Sequence, residues 1–257
     1  MSSIYLFVDG RHLQKHYAAS VRQWFGNDGE INFHRIKEDY AVSTMFYYDC
    51  LHDRQRTGES EADFKARVEA QEKYFDNIPR IIRLGSSSGK SGSDKRLRQK
   101  KVDVLLAVDM MKHAVRQNMY RAILIAGDLD FEPLVETLVD LGIYVELRGD
   151  PQHTARYLIR AASEYQPLTF RDYYNWSAPS LKTKYPIPGL QSGAYNPGYP
   201  LTRRGSLAGH PCELYESDQG VLLTVPQFEN DSFTLVETDL DRLKRFCILQ
   251  YGPLDGI

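Results

Sequence analysis

The amino-acid sequence predicts an α/β fold, in which a doubly wound, mostly parallel sheet is flanked by helices and followed by a small irregular, β-containing C-terminal extension. Short apolar runs alternate with segments of helical periodicity through about two-thirds of the chain. Two of these runs end at aspartates, as expected where a ligand crevice lies beyond the carboxyl ends of parallel strands. Pro, Gly, Tyr and Ser then become frequent. We therefore expect one domain at residues 1–170, and a linker with a small extension at residues 171–257.

The first half of the predicted sheet alternates strands with helices. The run IYLFV at residues 4–8 is wholly apolar, which is typical of a strand buried on both faces. Residues 43–49 and 80–84 are rich in apolar, aromatic and β-branched side chains, so they predict the next two strands. The intervening helices are predicted from apolar side chains that share one face, at residues 13–24 and 61–75.

The second half continues this alternation after a Gly/Ser-rich stretch at residues 85–94, which predicts a mobile loop. Two further buried strands are predicted from apolar runs, at residues 122–126 and 143–147. Three further helices are predicted from apolar periodicity, at residues 102–115, 131–141 and 154–162. The crossovers between parallel strands are expected to be right-handed.

The extension is less regular in its composition. Residues 179–209 are dense in Pro, Gly, Tyr and Ser, which favours a linker or an irregular extended segment. Short alternating runs at residues 221–225 and 233–236 predict a small sheet, and residues 239–246 predict a helix. The extension is compatible with homodimer contacts, binding of a protein partner or clamping of RNA.

Composition excludes several classes of protein. The 32 basic and 34 acidic residues nearly cancel, so a polyanion must be held by a local patch of charge. No apolar run reaches the length of about 18 residues that a membrane span needs, and no apolar leader precedes the first strand, so we expect a cytoplasmic protein. The three cysteines lack CxxC spacing, and histidines such as His16 and His153 lack metal-ligand spacing. We therefore expect no disulfide framework or structural zinc site, and histidines in surface or packing roles.

Four aspartates are expected at one edge of the sheet: Asp9, Asp103, Asp128 and Asp130. Converging carboxylates repel one another unless a cation lies between them. A Mg²⁺ or Mn²⁺ ion held there would orient water and stabilise charge on a phosphate, which is the chemistry of phosphodiester hydrolysis. The alternative is that individual aspartates cap helices or form turns, as Asp130 would at the helix that follows it. Asp109 points roughly 120° away from Asp103 on the same helix and is assigned a supporting role.

At these residues the sequence resembles the NYN family, the PIN-like nucleases that include the LabA-type bacterial proteins. The matching stretches are FVDG at residues 7–10, KVDVLLAVD at residues 101–109 and GDLDFEPLV at residues 127–135. The resemblance covers about residues 4–165. It implies a PIN-like fold, a Mg²⁺ or Mn²⁺ cofactor and RNA cleavage, with the family's acidic positions at Asp9, Asp103, Asp128 and Asp130.

One position departs from the pattern of the family. NYN proteins usually carry Asn two or three positions after the first Asp, whereas this chain has Arg11, His12 and Leu13 there. The imidazole of His12 is able to hydrogen-bond a phosphate or a metal-bound water, although its charge, unlike that of an amide, responds to pH. The alternative is that His12 merely begins the first helix.

Basic residues precede Asp103 and are expected at the rim of the acidic site. With Arg11 and His12, the residues assigned to substrate binding are Lys90, Lys95, Arg96, Arg98 and Lys101. Such a patch grips phosphates without reading bases, although a run of charge is often only a solvated face. The stretch GSSSGKS at residues 85–91 lacks the spacing of a P-loop, and GxGxxG is absent from the first turn, so a nucleotide triphosphatase and a dinucleotide site are both rejected.

These observations predict a cytoplasmic, divalent-metal-dependent endoribonuclease. The first alternative is a catalytically weak or inactive module that binds RNA or a protein partner in regulation. The second is a phosphatase for small phosphorylated molecules, because the same site would serve a phosphomonoester.

Overall fold

The computed structural model describes residues 3–26, 29–50, 55, 58–78, 81–85 and 95–257. The chain forms two compact units. The first contains Met1–Ala19 and Glu30–Leu168, and the second contains Ser20–Gly29 and Thr169–Ile257. Among the described residues, no helix has both the length and the apolar composition that crossing a membrane requires.

The first unit is built on a six-stranded, wholly parallel sheet with the strand order β3-β2-β1-β4-β5-β6. Its strands are β1 (Ser3–Asp9), β2 (Thr44–Cys50), β3 (Ile81–Gly85), β4 (Met119–Ile125), β5 (Tyr144–Gly149) and β6 (Glu164–Pro167). The chain runs outward from β1 to β3 and then returns to place β4 on the other side of β1. This reversal is the switch point at which doubly wound sheets bind their ligands. The predicted fold class is confirmed.

Helices cover both faces of this sheet. They are α1 (Gly10–Phe25), α2 (Phe33–Asp39), α3 (Glu61–Asp76), α4 (Lys95–Val115), α5 (Glu132–Asp140) and α6 (Arg156–Ala161). On one face Phe7 stacks on Phe46 at 5.0 Å, in a core that also contains Leu106 of α4. On the other face Tyr47 contacts Phe33 of α2. Burial on both faces explains why the central strands are continuous apolar runs.

Side-chain N-caps stabilise the first turns of two of these helices. The side chain of Asn32 accepts a hydrogen bond from the backbone N–H of Arg35 at the start of α2. The side chain of Ser60 does the same for Asp63 at the start of α3. Each cap satisfies a backbone N–H that has no partner within the helix, a contribution typically of about 1 kcal/mol.

The structure differs from the sequence prediction at three elements of the first unit. The helix α4 begins at Lys95 and not at residue 102, so the basic run forms its first turns. The strand β6 has the polar sequence EYQP and lies at the edge of the sheet, where no apolar run is needed. The helix α2 has only seven residues, too few to give a clear apolar period. Of the loop predicted at residues 85–94, all but the first residue lies outside the described residues.

The second unit contains a six-stranded sheet with the order β12-β8-β9-β10-β11-β7. In chain order its elements are α7 (Phe170–Asn175), α8 (Pro179–Lys184), β7 (Gly189–Ser192), β8 (Leu201–Leu207), β9 (His210–Ser217), β10 (Gly220–Phe228), β11 (Asp231–Glu237), α9 (Leu240–Gln250) and β12 (Leu254–Asp255). The predicted pairing of residues 221–225 with 233–236 is confirmed as the antiparallel β10–β11 pair. Residues 179–209 are more regular than their composition predicts, because they contain α8, β7 and β8.

Candidate active site

The carboxyl edge of the parallel sheet collects acidic side chains from several strands. Asp9 is the last residue of β1, and Asp49 lies at the end of the neighbouring strand β2. Asp128 follows β4 on the other side of β1. The parallel pairing of β1 with both neighbours brings these three strand ends to the same edge. This edge is therefore negatively charged on both sides of the switch point.

Asp9 is the most buried of these carboxylates, with a relative exposure of 6%. The backbone N–H of His12 donates a hydrogen bond to its Oδ1 at 3.2 Å. Burial, helped by the charges of Asp49 and Asp128, raises the pKa of Asp9 to about 6 against the opposing hydrogen bonds from the backbone of His12 and Arg11. The carboxylate is thus held in a setting that disfavours its negative charge.

Asp103 reaches the same group of charges from α4. Burial raises its pKa to about 7, and the charges of Asp9, Asp128 and Asp130 add to that effect. The exposed Arg11 acts in the opposite direction and lowers the pKa of Asp103. The structure therefore brings the four aspartates that were predicted from sequence within electrostatic reach of one another.

Asp128 and Asp130 occupy the exposed turn after β4. Oδ1 of Asp128 accepts a hydrogen bond from the backbone N–H of Asp130 at 3.3 Å and caps the short 3-10 turn Leu129–Phe131. The capping role that the sequence suggested for Asp130 therefore belongs to Asp128. A capping carboxylate still offers its second oxygen to a ligand.

A polar group on the β2 side was missed by the sequence analysis. Nε2 of Gln14 donates hydrogen bonds to Oδ2 of Asp49 at 2.9 Å and to the hydroxyl of Tyr47 at 2.7 Å. The Tyr47 hydroxyl also lies 3.2 Å from the hydroxyl of Tyr74. These contacts fix the orientation of Asp49 next to Asp9. The signal was present, because the predicted strand at residues 43–49 ends at this aspartate.

The close approach of Tyr47 to the start of α1 requires glycine at position 10. A Cβ atom at this position would overlap the ring of the fully buried Tyr47. The Asp9-Gly10 pair therefore lets α1 begin close to β2, where Gln14 reaches Asp49. Any larger residue at position 10 must displace Tyr47.

Asp109 lies on a different face of α4 from Asp103 and contacts the core. Its Oδ2 accepts a hydrogen bond from the buried hydroxyl of Tyr48 at 3.2 Å, and its Oδ1 lies 3.4 Å from Nζ of Lys112. These contacts give the carboxylate a structural partner on β2. They agree with the supporting role that helical periodicity assigned to it.

His12 packs beneath the turn that follows β4. A Cβ atom at Gly127 would overlap the His12 ring, so the backbone of this turn lies directly on the imidazole. Burial lowers the pKa of His12 to about 4, and the neighbouring His16 adds to the effect. The ring is therefore neutral near pH 7, and its predicted role in substrate binding stays a prediction.

A second cluster lies beside His12. The residues are His16 on α1 and Asp150 and His153 in the segment after β5, and their ligand atoms lie within 4.8 Å of one another. The ring of His16 lies 4.5 Å from that of His12 and 4.6 Å from that of His153. The sequence-based assignment of these histidines to surface or packing roles did not foresee that they gather beside a carboxylate in a group that could hold a metal ion. Linear spacing does not detect it, because α1 and β5 meet only in the folded sheet.

The structure describes only some of the basic residues that were assigned to substrate binding. Arg11 is exposed next to Asp9 and acts on Asp103, as its effect on the pKa shows. The backbone of α4 carries Lys95, Arg96, Arg98 and Lys101 in its first two turns, but their side chains lie outside the described residues, as does all of Lys90. Their role in binding stays a prediction.

Comparison with known proteins identifies a family and a distant solved structure. A solved structure of a protein of unknown function from Vibrio parahaemolyticus is similar to this chain with a TM-score of 0.43 and 16% sequence identity, over 65% of this chain and 93% of the other. No curated protein matches the chain significantly. The profile of the NYN domain matches residues 3–169, which include the whole acidic edge described above. Since this match covers well over half of the chain, the protein belongs to the NYN domain family, within the PIN-like nuclease superfamily.

Proposed function

We propose that the first unit is a divalent-metal-dependent endoribonuclease that hydrolyses RNA phosphodiester bonds at Asp9, Asp103, Asp128 and Asp130. Membership of the NYN family supports a nuclease kind of function. The observation that carries the more specific proposal is the gathering of carboxylates from β1, α4 and the turn after β4 around Asp103. The raised pKa of Asp9, to about 6, and of Asp103, to about 7, supports it. A site that holds several carboxylates against their own repulsion is suited to a cation.

The donor set fits Mg²⁺ or Mn²⁺. All four side chains offer carboxylate oxygens, the ligands that hard divalent cations prefer. Asp9 and Asp103 would hold the ion from the buried side, and Asp128 and Asp130 from the exposed side. When bound, the ion supplies stabilisation of negative charge on the phosphate and lowers the pKa of water.

The remaining groups position this site. The backbone N–H of His12 orients the Asp9 carboxylate, and Gln14 orients Asp49 beside it. Arg11 is placed to bind a phosphate oxygen at the exposed side, where it offsets the negative charge felt by Asp103. The protein thus contributes orientation and charge, which are the main requirements of phosphate chemistry at a metal site.

RNA is the proposed substrate, and the basic residues at the start of α4 are its proposed contacts. Arg11, Lys90, Lys95, Arg96, Arg98 and Lys101 would bind backbone phosphates without reading sequence. We place the reaction in the cytoplasm on the basis of composition and cysteine pattern. A homodimer or a protein partner bound through residues 171–257 stays a prediction.

The test uses the full chain with labelled linear RNA, circular RNA and DNA of the same sequence, in Mg²⁺, in Mn²⁺ and in chelator. We expect metal-dependent cutting of both RNAs, because a circle is opened only by an endonuclease. Asp128→Asn should abolish cutting, whereas Asp140→Asn, at the exposed end of α5, should leave it unchanged. Cutting that persists equally in Asp128→Asn would overturn the assignment of the site.

The alternative function is a module that binds RNA or a protein partner without cutting. The observation in its favour is His12, which stands where the family usually has Asn and which packs under Gly127. Under this alternative the wild-type chain binds RNA but does not cut it with any metal. His12→Asn is then the first substitution to test for restored cleavage.

A further inference from the structure

We propose that His16, Asp150 and His153 form a second cation site, selective for a borderline transition metal such as Zn²⁺ and separate from the four-aspartate site. The three residues come from two elements that the fold brings together, the helix α1 and the segment between β5 and α6. The proposal does not depend on the nuclease function proposed above.

The donor atoms are already gathered. Their mutual separation of at most 4.8 Å allows a single ion to contact all three residues after small movements. Nδ1 of His16 lies 3.6 Å from Oδ2 of Asp150, which is longer than a hydrogen bond. His16 is only 5% exposed, so this nitrogen is held next to the carboxylate without a direct bond to it. Insertion of an ion would satisfy both atoms.

His12 supplies independent support. Its Nε2 is buried and has no hydrogen-bond partner among the described residues. Buried polar atoms without partners are uncommon and call for an explanation such as an ion or a water molecule. The ring of His12 lies 4.5 Å from that of His16, so a polar atom without a partner borders the cluster, although His12 is not one of the three residues whose ligand atoms are gathered.

The donor types select the class of metal. Two imidazoles and one carboxylate are typical of Zn²⁺ sites that keep an open position, whereas Mg²⁺ prefers oxygen ligands and water. Nδ1 of His153 also lies 2.7 Å from Oδ1 of Asp150, and this contact orients its ring. The site therefore differs in chemistry from the all-carboxylate edge.

Binding of an ion by the histidine cluster would also affect the acidic site. The carbonyl oxygen of His153 would lie 2.8 Å from a Cβ atom at Gly127, and the backbone N–H of Ala155 donates to the Gly127 carbonyl at 2.9 Å. The segment that carries Asp150 and His153 thus packs on the turn that carries Asp128. An ion that joins this segment to α1 would hold that turn in place and stabilise the first unit.

The test is a Zn²⁺ titration of the full chain, stripped of metal and kept in excess Mg²⁺, followed by calorimetry and by thermal unfolding. Binding of Co²⁺, followed by its visible absorption, reports nitrogen ligands independently of any activity. We expect one tight Zn²⁺ per chain and a rise in melting temperature. His153→Gln, an exposed residue whose replacement should not prevent folding, is expected to weaken Zn²⁺ binding by about tenfold or more.

Two controls separate this site from other ones. His34→Gln changes an exposed histidine on α2 and should leave Zn²⁺ binding unchanged. Asp103→Asn impairs the acidic site and should also leave it unchanged. The proposal is overturned if Zn²⁺ does not bind, if His153→Gln binds it as tightly as the wild type, or if Asp103→Asn abolishes the binding.

Discussion

The two clusters at the carboxyl edge of the parallel sheet use charge in opposite ways. In the acidic site, burial and neighbouring carboxylates raise the pKa of Asp9 and Asp103, so the ionised state is disfavoured. In the histidine cluster, burial also acts against the charge of Asp150, but hydrogen bonds from His153 and from the Gln152 backbone outweigh it and lower the pKa of that carboxyl. One edge of one sheet thus holds an acidic cluster whose repulsion Arg11 offsets only in part, and a histidine cluster whose own hydrogen bonds stabilise its carboxylate.

This difference indicates what each cluster gains from a cation. In the acidic site a cation removes repulsion among oxygens, which favours a hard ion with high charge density. In the histidine cluster there is little repulsion to remove, so affinity must come from bonds to neutral nitrogens, which favours a softer ion.

The largest effect is expected from loss of the half-buried Asp103 carboxylate of the acidic site. Asp103→Asn should lower kcat/KM for RNA cleavage by about 10³-fold, the equivalent of about 4 kcal/mol, because stabilisation of the charged transition state is lost. The measurement is the initial rate on labelled RNA at saturating Mg²⁺. Asp76→Asn, at the exposed end of α3, is the matched control and should cut normally. A loss below tenfold would remove Asp103 from the site.

The second effect is a gain in stability when the repulsion is relieved. In the folded protein the pKa of Asp9 is about 6, against an ordinary value of 3.8, so the folded state binds this proton more tightly than the unfolded state. Stability therefore falls as pH rises from about 4 to about 6, and Asp9→Asn removes that penalty, a gain of up to about 3 kcal/mol above pH 6. Urea unfolding in chelator at pH 4 and pH 8 measures it.

Asp9→Asn keeps the oxygen that accepts the hydrogen bond from the His12 backbone, so packing should be preserved. The gain should largely vanish at pH 4, because Asp9 of the folded wild type is protonated there and the same carboxyl of the unfolded chain, with an ordinary pKa of 3.8, is only about half ionised. It should also shrink when Mg²⁺ is added at pH 8, because the ion stabilises only the wild type. An equal difference at both pH values would mean that packing, and not charge, is responsible.

The third effect concerns the residue that sequence analysis missed. Asp49→Asn removes a negative charge beside Asp9 and should raise the Mg²⁺ concentration for half-maximal cleavage by about tenfold, or about 1.4 kcal/mol. Gln14→Ala leaves the charge but frees its orientation, so it should have a smaller effect in the same direction. If neither variant changes the Mg²⁺ dependence, the β2 side does not belong to the metal site.

These missed residues show where sequence reasoning reaches its limit. The central strands and the positions of Asp9 and Asp128 at the sheet edge were predictable, because a strand buried on both faces has a continuous apolar sequence and its end places the next residue at the edge. The edge strand β6 was not, because its polar sequence EYQP carries no apolar signal. Asp49 ends a predicted strand, but its relation to Asp9 depends on β2 being the neighbour of β1.

The histidine cluster was beyond such reasoning for a further reason. His16 lies on α1, whereas Asp150 and His153 follow the fifth strand, so no local spacing relates them. Their proximity follows from the strand order, in which β5 lies two positions from β1 across β4. A sequence pattern gives the residues that each element places at the edge. The order of the strands decides which of them meet.

The smallest effect is expected at the basic start of α4, which tests whether the acidic edge needs a local cationic patch to receive a polyanion. Lys101→Ala should weaken RNA binding only a few-fold at moderate salt, and it should reduce the slope of log K against log salt by about 0.7, the value for one phosphate contact on a single strand. Binding is measured in Ca²⁺ without cleavage, over a series of salt concentrations. Lys184→Ala, in the last turn of α8, is the control and should keep the wild-type slope. An unchanged slope for Lys95→Ala, Arg96→Ala, Arg98→Ala and Lys101→Ala alike would show that the start of α4 is a solvated helix face. RNA contacts would then have to come from other cations, such as Arg11 beside the aspartates.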